Sequence, residues 1–461
     1  MKGDFTRVTF DPTKHYSRVL MQQGRVQLDA DWNEQAAILL HYLETLATDL
    51  IGPFGGPAGE HHGFKVSPAS NAFDFAISRG RYYVDGVLCE NENETTTYLT
   101  QKYYRDNYPD EARSKLPGGV YLAYLDVWEH HVTWLEDEHV REVALGGPDT
   151  ATRAKIVWQV KITDTQPNGD SKIPPSWGRD SVFKVWDQYV AAWRAQSRCE
   201  LKVRLKPDQA NTDPCTIAPS SAYRGQENQL YRVEIHQGGN AEDATFKWSR
   251  DNGSTVAAWV GSSDDDKLIL SSVRGFANAP WVEITSADDD LHGVFGELFQ
   301  VINIEGDALQ VQDAPTWNES PPKKVRRWDQ QENEIVTLKS GAVPLKEGTA
   351  ETDWIDLEDG IQVQFQPPDP NAPNRPNHYR TGDYWLIPAR TNGTIEWPLA
   401  LKDDGEPQVD ANGNVIPLAL APLGIEHHYA PLCLVTVNAN GAISIAPSGD
   451  LHREFPPAAA K

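Results

Sequence analysis

Near the start of the chain, the spacing of apolar residues changes from that of a strand to that of a helix. Residues 2–10 alternate loosely between apolar and polar side chains, which predicts a first β-strand. Apolar side chains then recur every three or four residues over 38–50, which predicts an amphipathic helix. Asp31 and Glu34 match a helix N-cap and its reciprocal partner, and Gly52 marks the end of the helix.

Beyond this helix, short alternating apolar runs separated by Gly, Pro, Asn and Asp predict a chain that is mainly β. Asp85-Gly86, between two apolar runs, predicts a tight hairpin turn. Residues 181–197 carry aromatic side chains at helical spacing and predict a second helix. We therefore expect multi-domain β-sandwich or barrel-like modules, with an N-terminal amphipathic helix and a short helical insertion.

Composition shifts and Pro- or Gly-rich stretches divide the 461 residues into five predicted segments. The Pro-led basic stretch at 319–332 is the predicted boundary between the last two. The segments are an N-terminal strand plus helix as a docking element (1–60), a first β domain (61–170), a helical insertion (171–215), a central β domain (216–330) and a C-terminal β domain with a loose tail (331–461).

The net charge of −24 limits which partners the protein can bind. The acidic residues are spread along the chain, so the field of the protein repels nucleic acid and anionic lipid, and we exclude nucleic acid as a main partner. No apolar run reaches the roughly eighteen residues of a membrane span, and the first residues lack the apolar core of a secretion signal. We expect cytoplasmic synthesis without a signal peptide, and release only by lysis or within a particle.

The chain lacks the sequence motifs of the common catalytic sites. No G-x-S-x-G, no Walker A and no dinucleotide-binding glycine motif occurs. Adjacent histidines such as His427 and His428 point to opposite faces of a strand, so such a pair cannot chelate one metal. We therefore predict no catalytic residue, no metal site and no cofactor, and interpret the protein as a non-enzyme.

Two features leave alternatives open. The acidic runs at 264–266 and 288–290 follow predicted strands and offer oxygen ligands for Ca²⁺, but neither has the spacing of a calcium-binding loop, so a solvated turn is the preferred interpretation. Cys199 and Cys215 flank a polar loop. A disulfide between them requires an oxidising compartment, which cytoplasmic synthesis disfavours.

The N-terminal strand and helix form the predicted docking element. An amphipathic helix needs a surface that covers its apolar face, and either the protein's own first β domain or another subunit supplies it. The first strand is also able to extend the edge of a partner's sheet. The predicted partner-binding residues are Phe5, Val8, Trp32, Ile38, Leu39, Tyr42, Leu43 and Leu46.

Several long strings, spread over most of the chain, carry a family resemblance. They are KGDFTR at 2–7, QQGRVQLDADWNEQ at 22–35, YLDVWE at 124–129, REVALGGPDTATR at 141–153, YRGQENQLYRVEIH at 223–236 and YRTGDYWLIPAR at 379–390. In these strings the chain resembles an uncharacterised bacterial family, a domain of unknown function often encoded with phage-tail-like contractile injection systems. The family has no assigned activity, so the resemblance implies no catalytic residue.

The resemblance implies a structural component of a contractile particle, at the baseplate, spike, fibre or an accessory position. Its partners are then the other subunits, and the protein is expected to form a homo-oligomer within the assembly. The alternative is a carbohydrate-binding or glycan-cleaving β module that recognises a surface glycan. Trp177, Trp317 and Trp397 would then stack on sugar rings, whereas the competing interpretation places them in the core between sheets.

Overall fold

A computed structural model of the chain describes residues 1–70, 74–103, 118–147, 149–194, 199–207, 222–263, 267–316, 322–332, 336–368, 376–410 and 413–455. These residues include three α-helices, which are α1 (Asp29–Ile51), α2 (Arg179–Trp193) and α3 (Ala287–His292). Most of the regular structure is strand, arranged in several sheets, which confirms the predicted mainly β, multi-domain fold.

The strands divide into two groups along the chain. The first group is β1 (Phe54–Pro57), β2 (Val66–Pro68), β3 (Phe75–Ile77), β4 (Gly80–Val84), β5 (Val87–Asn91), β6 (Gly119–Val132), β7 (Arg153–Thr163), β8 (Leu201–Leu205), β9 (Gln229–Gln237), β10 (Thr245–Ser249), β11 (Val256–Ser263) and β12 (Lys267–Leu270). The second is β13 (Trp281–Ser286), β14 (Glu297–Glu305), β15 (Ala308–Val311), β16 (Lys323–Trp328), β17 (Val343–Pro344), β18 (Ile355–Asp356), β19 (Ile361–Phe365), β20 (Tyr384–Arg390), β21 (Thr394–Ile395), β22 (His427–Val437), β23 (Ile443–Asp450) and β24 (Glu454–Phe455).

An outer module contains strands from both ends of the chain. Its main sheets have the strand orders β24-β1-β4-β5 and β23-β22-β6-β7. Both sheets and helix α2 contribute to one hydrophobic core, which includes Phe54, Tyr82, Leu125, Trp186 and Leu434. Residues 427–455, which the sequence places in a C-terminal domain, therefore pair with strands of residues 54–163.

A middle module is built from two sheets, with the orders β17-β10-β9-β20-β21 and β18-β19-β8. Strand β9 alternates strictly, and its apolar residues Tyr231 and Val233 point into the core of this module. Its polar residues Arg232, Glu234 and His236 lie on the opposite face and are also buried. This sheet is therefore covered on both sides.

The third module is a closed barrel with the order β11-β12-β15-β14-β13-β16. Trp259, Val282 and Val325 belong to its core. Alternate residues on β13 and β16 face outward, and two of them are buried: Glu283 pairs with Lys247 of the middle module, and Lys324 pairs with Glu136 of the outer module.

Several local predictions hold. Helix α1 ends as expected at Gly52, whose N–H donates to Thr48 O. The Asp85-Gly86 turn joins β4 to β5, and both residues have the positive φ that a type I′ turn requires. The second helix, α2, forms over most of the predicted range and buries Trp186.

Other local predictions are wrong. Residues 2–10 form no strand, because their hydrogen bonds run to side chains of other elements. Helix α1 begins at Asp29, with Leu28 as N-cap, so Asp31 does not cap it. The basic stretch at 319–332 contains the buried barrel strand β16 instead of a boundary. The basic residues of this stretch predict a boundary, whereas its alternation of Lys, Val, Arg and Trp is typical of a strand that is covered on both faces.

Candidate functional site

The first three residues of the chain are fastened to the middle module. Lys2 Nζ lies 2.9 Å from Glu234. Asn252 Nδ2 donates to Gly3 O at 2.8 Å. Because the anchor uses a buried carboxylate and a buried amide, these residues are held in one place rather than left as a loose end.

The next residues bind the beginning of helix α1. Thr6 Oγ1 donates to Asp29 at 2.6 Å, and Thr9 Oγ1 donates to Glu34 at 2.5 Å. Of these two acids, the sequence suggests Glu34 as part of the helix cap, whereas Asp29 has no predicted role. The N-terminal segment thus connects the middle module to α1, and the orientation of the helix depends on both.

The anchor of Lys2 belongs to a buried ionic cluster between the middle module and the barrel. Lys247 Nζ lies 2.6 Å from both carboxylate oxygens of Glu283 and 3.4 Å from Glu234. Trp328 Nε1 donates to Glu283 at 2.8 Å. Burial opposes ionisation of Glu283, but Lys247 and Lys2 outweigh it and lower the pKa of this carboxyl.

A second part of the cluster joins the barrel to the outer module. Lys324 Nζ lies 2.7 Å from Asp290 and 3.2 Å from Glu136. Burial raises the pKa of the Asp290 carboxyl, but Lys324 and Lys2 reverse the effect, so the pKa falls below its usual range. A cleft of about 460 Å³ opens beside these groups. Since opposite charges already neutralise one another there, the cluster acts as a fastening between modules.

Helix α1 lies across the outer module and buries only a narrow row of its side chains. Ala30 and Ile38 are each 1% exposed. The backbone of Glu44 rests on Gly86 in the β4–β5 turn, so closely that a Cβ on Gly86 would lie 2.2 Å from Glu44 O. The helix therefore does contact its own β domain, but through one face only.

The predicted partner-binding residues divide into two groups in the structure. Ile38 is buried against the protein itself, and Phe5 is half-buried with its ring edge-on to His131 at 6.2 Å, so these two are not available to a partner. The remaining six are exposed, with Trp32 at 79%. They are Val8, Trp32, Leu39, Tyr42, Leu43 and Leu46.

A second exposed apolar segment was missed in the sequence. The arm, defined as residues 15–28, connects the anchored tip to α1 and contains no strand or helix. Its exposed apolar residues are Tyr16, Leu20, Met21, Val26 and Leu28. The sequence signal for this segment is several large apolar residues in a stretch that lacks helical or strand periodicity. A loop that only contacts water does not require such residues.

An apolar groove of about 1460 Å³ runs beside α1. Leu43, Leu46 and Leu50 form its helical wall, and the edges of β5 and β7 form the other, which includes Leu88 and Trp158. The groove and the helix face form one exposed apolar surface, and the arm adds further exposed apolar residues. Such surfaces in soluble proteins mark contact sites.

Gly86→Ala is expected to lower the free energy of unfolding by about 2 kcal/mol or more, because a left-handed φ strains alanine by roughly 1–2 kcal/mol and the new Cβ collides with the backbone of α1. Chemical denaturation measures the loss, and hydrogen exchange over 38–47 measures the loosening of the helix. Gly306→Ala is the matched control, since Gly306 also has positive φ at a hairpin turn but nothing lies within 4 Å of a Cβ there. Equal losses in the two variants would contradict a close helix contact.

The tryptophans of the glycan alternative are not brought together. Trp177 packs beside the outer-module core, and Trp397 packs beside the middle-module core with Nε1 donating to Leu418 O at 2.9 Å. Both are half-buried. Trp317 lies outside the described residues. Binding of a glycan stays a prediction that no geometry here favours.

The structure describes only part of the acidic runs and of the cysteine pair. Residues 288–290 form the first turn of α3, and since Asp290 is paired with Lys324, a solvated turn is wrong for this run. Residues 264–266 lie outside the described part of the chain. Cys199 is buried, and Cys215 is outside the described residues, so their pairing stays open.

Comparison with protein family models identifies the family of this chain. The model of a family of unknown function, DUF6519, matches residues 1–173 and 181–444. The chain belongs to this family. The match includes the anchored tip, the arm and α1, the middle module and the barrel, and most of the outer module, whose last strands extend beyond residue 444.

The other comparisons give no match, either among curated proteins or among solved structures. In the part of the chain that the structure describes, no helix is both long and apolar enough to cross a membrane. Within the same residues, no group of three or more His, Cys, Asp or Glu side chains is arranged to hold a metal ion.

Proposed function

We propose that this protein is a structural component of a phage-tail-like contractile injection particle, where it acts through protein–protein contacts without catalysis. The proposal includes a baseplate, spike, fibre or accessory position, synthesis in the cytoplasm and assembly into the particle. The observation that carries it is the exposed apolar surface of the arm and α1, on which Val26 is 83% and Leu50 is 75% exposed.

The way this surface is held supports the proposal. A disordered tail loses conformational entropy when it binds, whereas the arm is attached at both ends, by the anchored tip and by α1. Arm and helix therefore present their apolar residues from a fixed position. Such preorganisation suits a permanent contact between subunits.

A second exposed apolar region adds to this support. Residues 397–410 and 413–425 form a region outside the regular sheets, connected by isolated bridges such as Val409↔Val415 and Leu399↔Pro417. Several of its apolar side chains are exposed, including Leu401 and Val415. Two separate apolar surfaces on one chain are expected of a subunit that contacts more than one neighbour.

The test is a pair of charges placed on the arm. Leu20→Asp/Val26→Asp is expected to leave the fold unchanged, since both side chains are exposed and surface substitutions change stability by about 0.5 kcal/mol or less. It should reduce incorporation into particles at least tenfold, because a buried interface does not tolerate unpaired carboxylates. Incorporation is measured by sedimenting particles from the native host and quantifying this chain against the sheath subunit.

The control carries the same charges without losing apolar area. Gln23→Asp/Gln27→Asp lies on the same exposed arm and should be incorporated nearly as well as the wild type. If both double variants enter the particle at wild-type levels, the arm is not the docking element. If the wild-type protein is absent from sedimented particles, the proposed function is wrong.

A further inference from the structure

The exposed face of α1 has the spacing of a coiled-coil seam. Its residues follow one another at intervals of four, three, four, three and four, and all are exposed: Trp32, Ala36, Leu39, Leu43, Leu46 and Leu50. This alternation is the heptad pattern of a helix that packs lengthwise against another helix. The seam avoids Ile38, through which α1 contacts its own module.

The seam and the groove are parts of one surface. Leu43, Leu46 and Leu50 line the groove between α1 and the strand edges, where Leu88 and Trp158 form the facing wall. A helix laid along the seam therefore contacts α1 on one side and these strand residues on the other. A strand or loop in the groove would contact the strand residues of its wall, but it would not match the heptad spacing of the seam.

We propose that the occupant is helix α1 of a second copy of this chain, so that the protein forms a two-fold dimer. The inference deepens the proposed function, on which it rests, by naming the partner of α1. In such a dimer each helix is one wall of its own groove and the occupant of its partner's groove. This double role is possible only in an isologous, self-complementary contact.

The charges at this surface are compatible with a second copy. The flanking positions hold one ionisable acid, Asp49, and the others are uncharged: Asn33, Gln35, Leu40, Tyr42 and Ala47. In coiled coils these positions select partners through opposite charges, and here they select no oppositely charged partner. The groove itself contains both signs of charge, so each copy offers lysines to the acids of the other. These residues are Glu44, Glu90, Glu92, Lys102 and Lys155.

The area buried in the dimer also has to include the groove. The 23 residues of α1 extend about 35 Å, so a contact about 10 Å wide between two helices buries roughly 700 Å² in total. A stable interface needs about 1,000 Å² or more. The exposed parts of the groove walls in both copies supply the difference, including Leu88, which is 38% exposed, and the half-buried Tyr83 and Trp158.

Light scattering of the purified full chain during gel filtration tests the dimer. The wild type is expected at twice the 51.4 kDa of one chain at micromolar concentration. Leu43→Asp/Leu46→Asp should weaken dimerisation at least a hundredfold and give the single-chain mass. Because both side chains are exposed in the single chain, the variant should keep the wild-type circular dichroism and denaturation midpoint.

Thr45→Asp is the matched control, since it places the same charge on an exposed position of the same helix turn, away from the seam. It should remain dimeric. Leu46→Cys should form a cross-link between copies under mild oxidation if the two-fold axis passes near the middle of the groove wall, and Thr45→Cys should not.

A wild-type protein that is monomeric at all accessible concentrations overturns the inference, as does a dimer or larger oligomer that survives Leu43→Asp/Leu46→Asp. The outcome is independent of particle incorporation. A dimer that never enters particles refutes the proposed function and leaves the pairing intact, whereas a monomer that enters particles does the reverse.

Discussion

Glu283→Leu is expected to lower the free energy of unfolding by about 3–5 kcal/mol, the loss typical of breaking a buried ion pair from one side. The substitution leaves the ammonium group of Lys247, which is 1% exposed, without the two oxygens that hold it at 2.6 Å. It also removes the acceptor of Trp328 Nε1 and of the Gly296 N–H. Urea denaturation measures the loss.

The matched control is an exposed ion pair of the same barrel. Glu305 lies 2.9 Å from Lys267, but its side chain is 58% exposed, so Glu305→Leu should change stability by about 1 kcal/mol or less. The double variant Lys247→Met/Glu283→Leu should be less destabilised than Glu283→Leu alone, because removal of both charges leaves no unpaired buried ion. A double variant as unstable as the sum of the two single variants would contradict a direct coupling between these residues.

His236 is expected to make the protein less stable as the pH falls from about 6.5 to 4. Burial, and then the nearby Lys247, lower the pKa of the His236 imidazole to about 4, whereas an exposed histidine has a pKa near 6.5. The ring is 7% exposed, packs edge-on to Phe295 at 4.8 Å, and its Nδ1 has no hydrogen-bond partner among the described residues. A charged ring is therefore poorly accommodated.

Above pH 6.5 the ring is neutral in the folded and the unfolded chain, so it makes no pH-dependent contribution. Between pH 6.5 and 4 the unfolded chain binds a proton that the folded chain does not, so stability falls by about 1.4 kcal/mol per pH unit, or about 3 kcal/mol in total. Below pH 4 the folded chain is protonated as well, and this loss ends.

His236→Phe keeps a ring against Phe295 and removes the titration. Denaturant midpoints of this variant and the wild type, measured from pH 7 to pH 4, should diverge by about 3 kcal/mol in favour of the variant. His378→Phe is the control, because His378 is exposed and its replacement should keep the wild-type pH profile. Parallel profiles for His236→Phe and the wild type would refute a buried, neutral histidine.

The sequence predicts which residues share one face of a strand better than it predicts what each face contacts. Alternation on β9 correctly separates Tyr231 and Val233 from Arg232 and Glu234, yet polar residues on a strand usually face water, and here they face a barrel. The same limit applies to Lys324 and Arg326 on β16. Burial of such charges depends on a partner more than thirty residues away in sequence, such as Asp290 for Lys324, and no local pattern contains it.

The docking element shows the same division. The helical period of α1 and its end at Gly52 follow from local rules. Which row of the helix is covered does not follow from local rules, because Ile38 and Leu39 are equally apolar neighbours. The placement of the helix on the rest of the protein decides that Ile38 is the buried one. The strand predicted over residues 2–10 does not form for a related reason. Threonine hydroxyls of this segment bind carboxylates on α1 instead of the segment pairing with a sheet edge.

The positions of paired strands along the chain determine which sheets can form first during translation. All barrel strands lie within residues 256–328, so the barrel has its partners as soon as that stretch emerges. Strand β6 is synthesised far earlier, yet it waits for β22 at residues 427–437, and β1 waits for β24 at residues 454–455. We expect the nascent chain to complete the barrel before the outer module. One edge of β1 and one edge of β6 stay open to chaperones until translation is nearly finished, although their other edges pair earlier with β4 and β7.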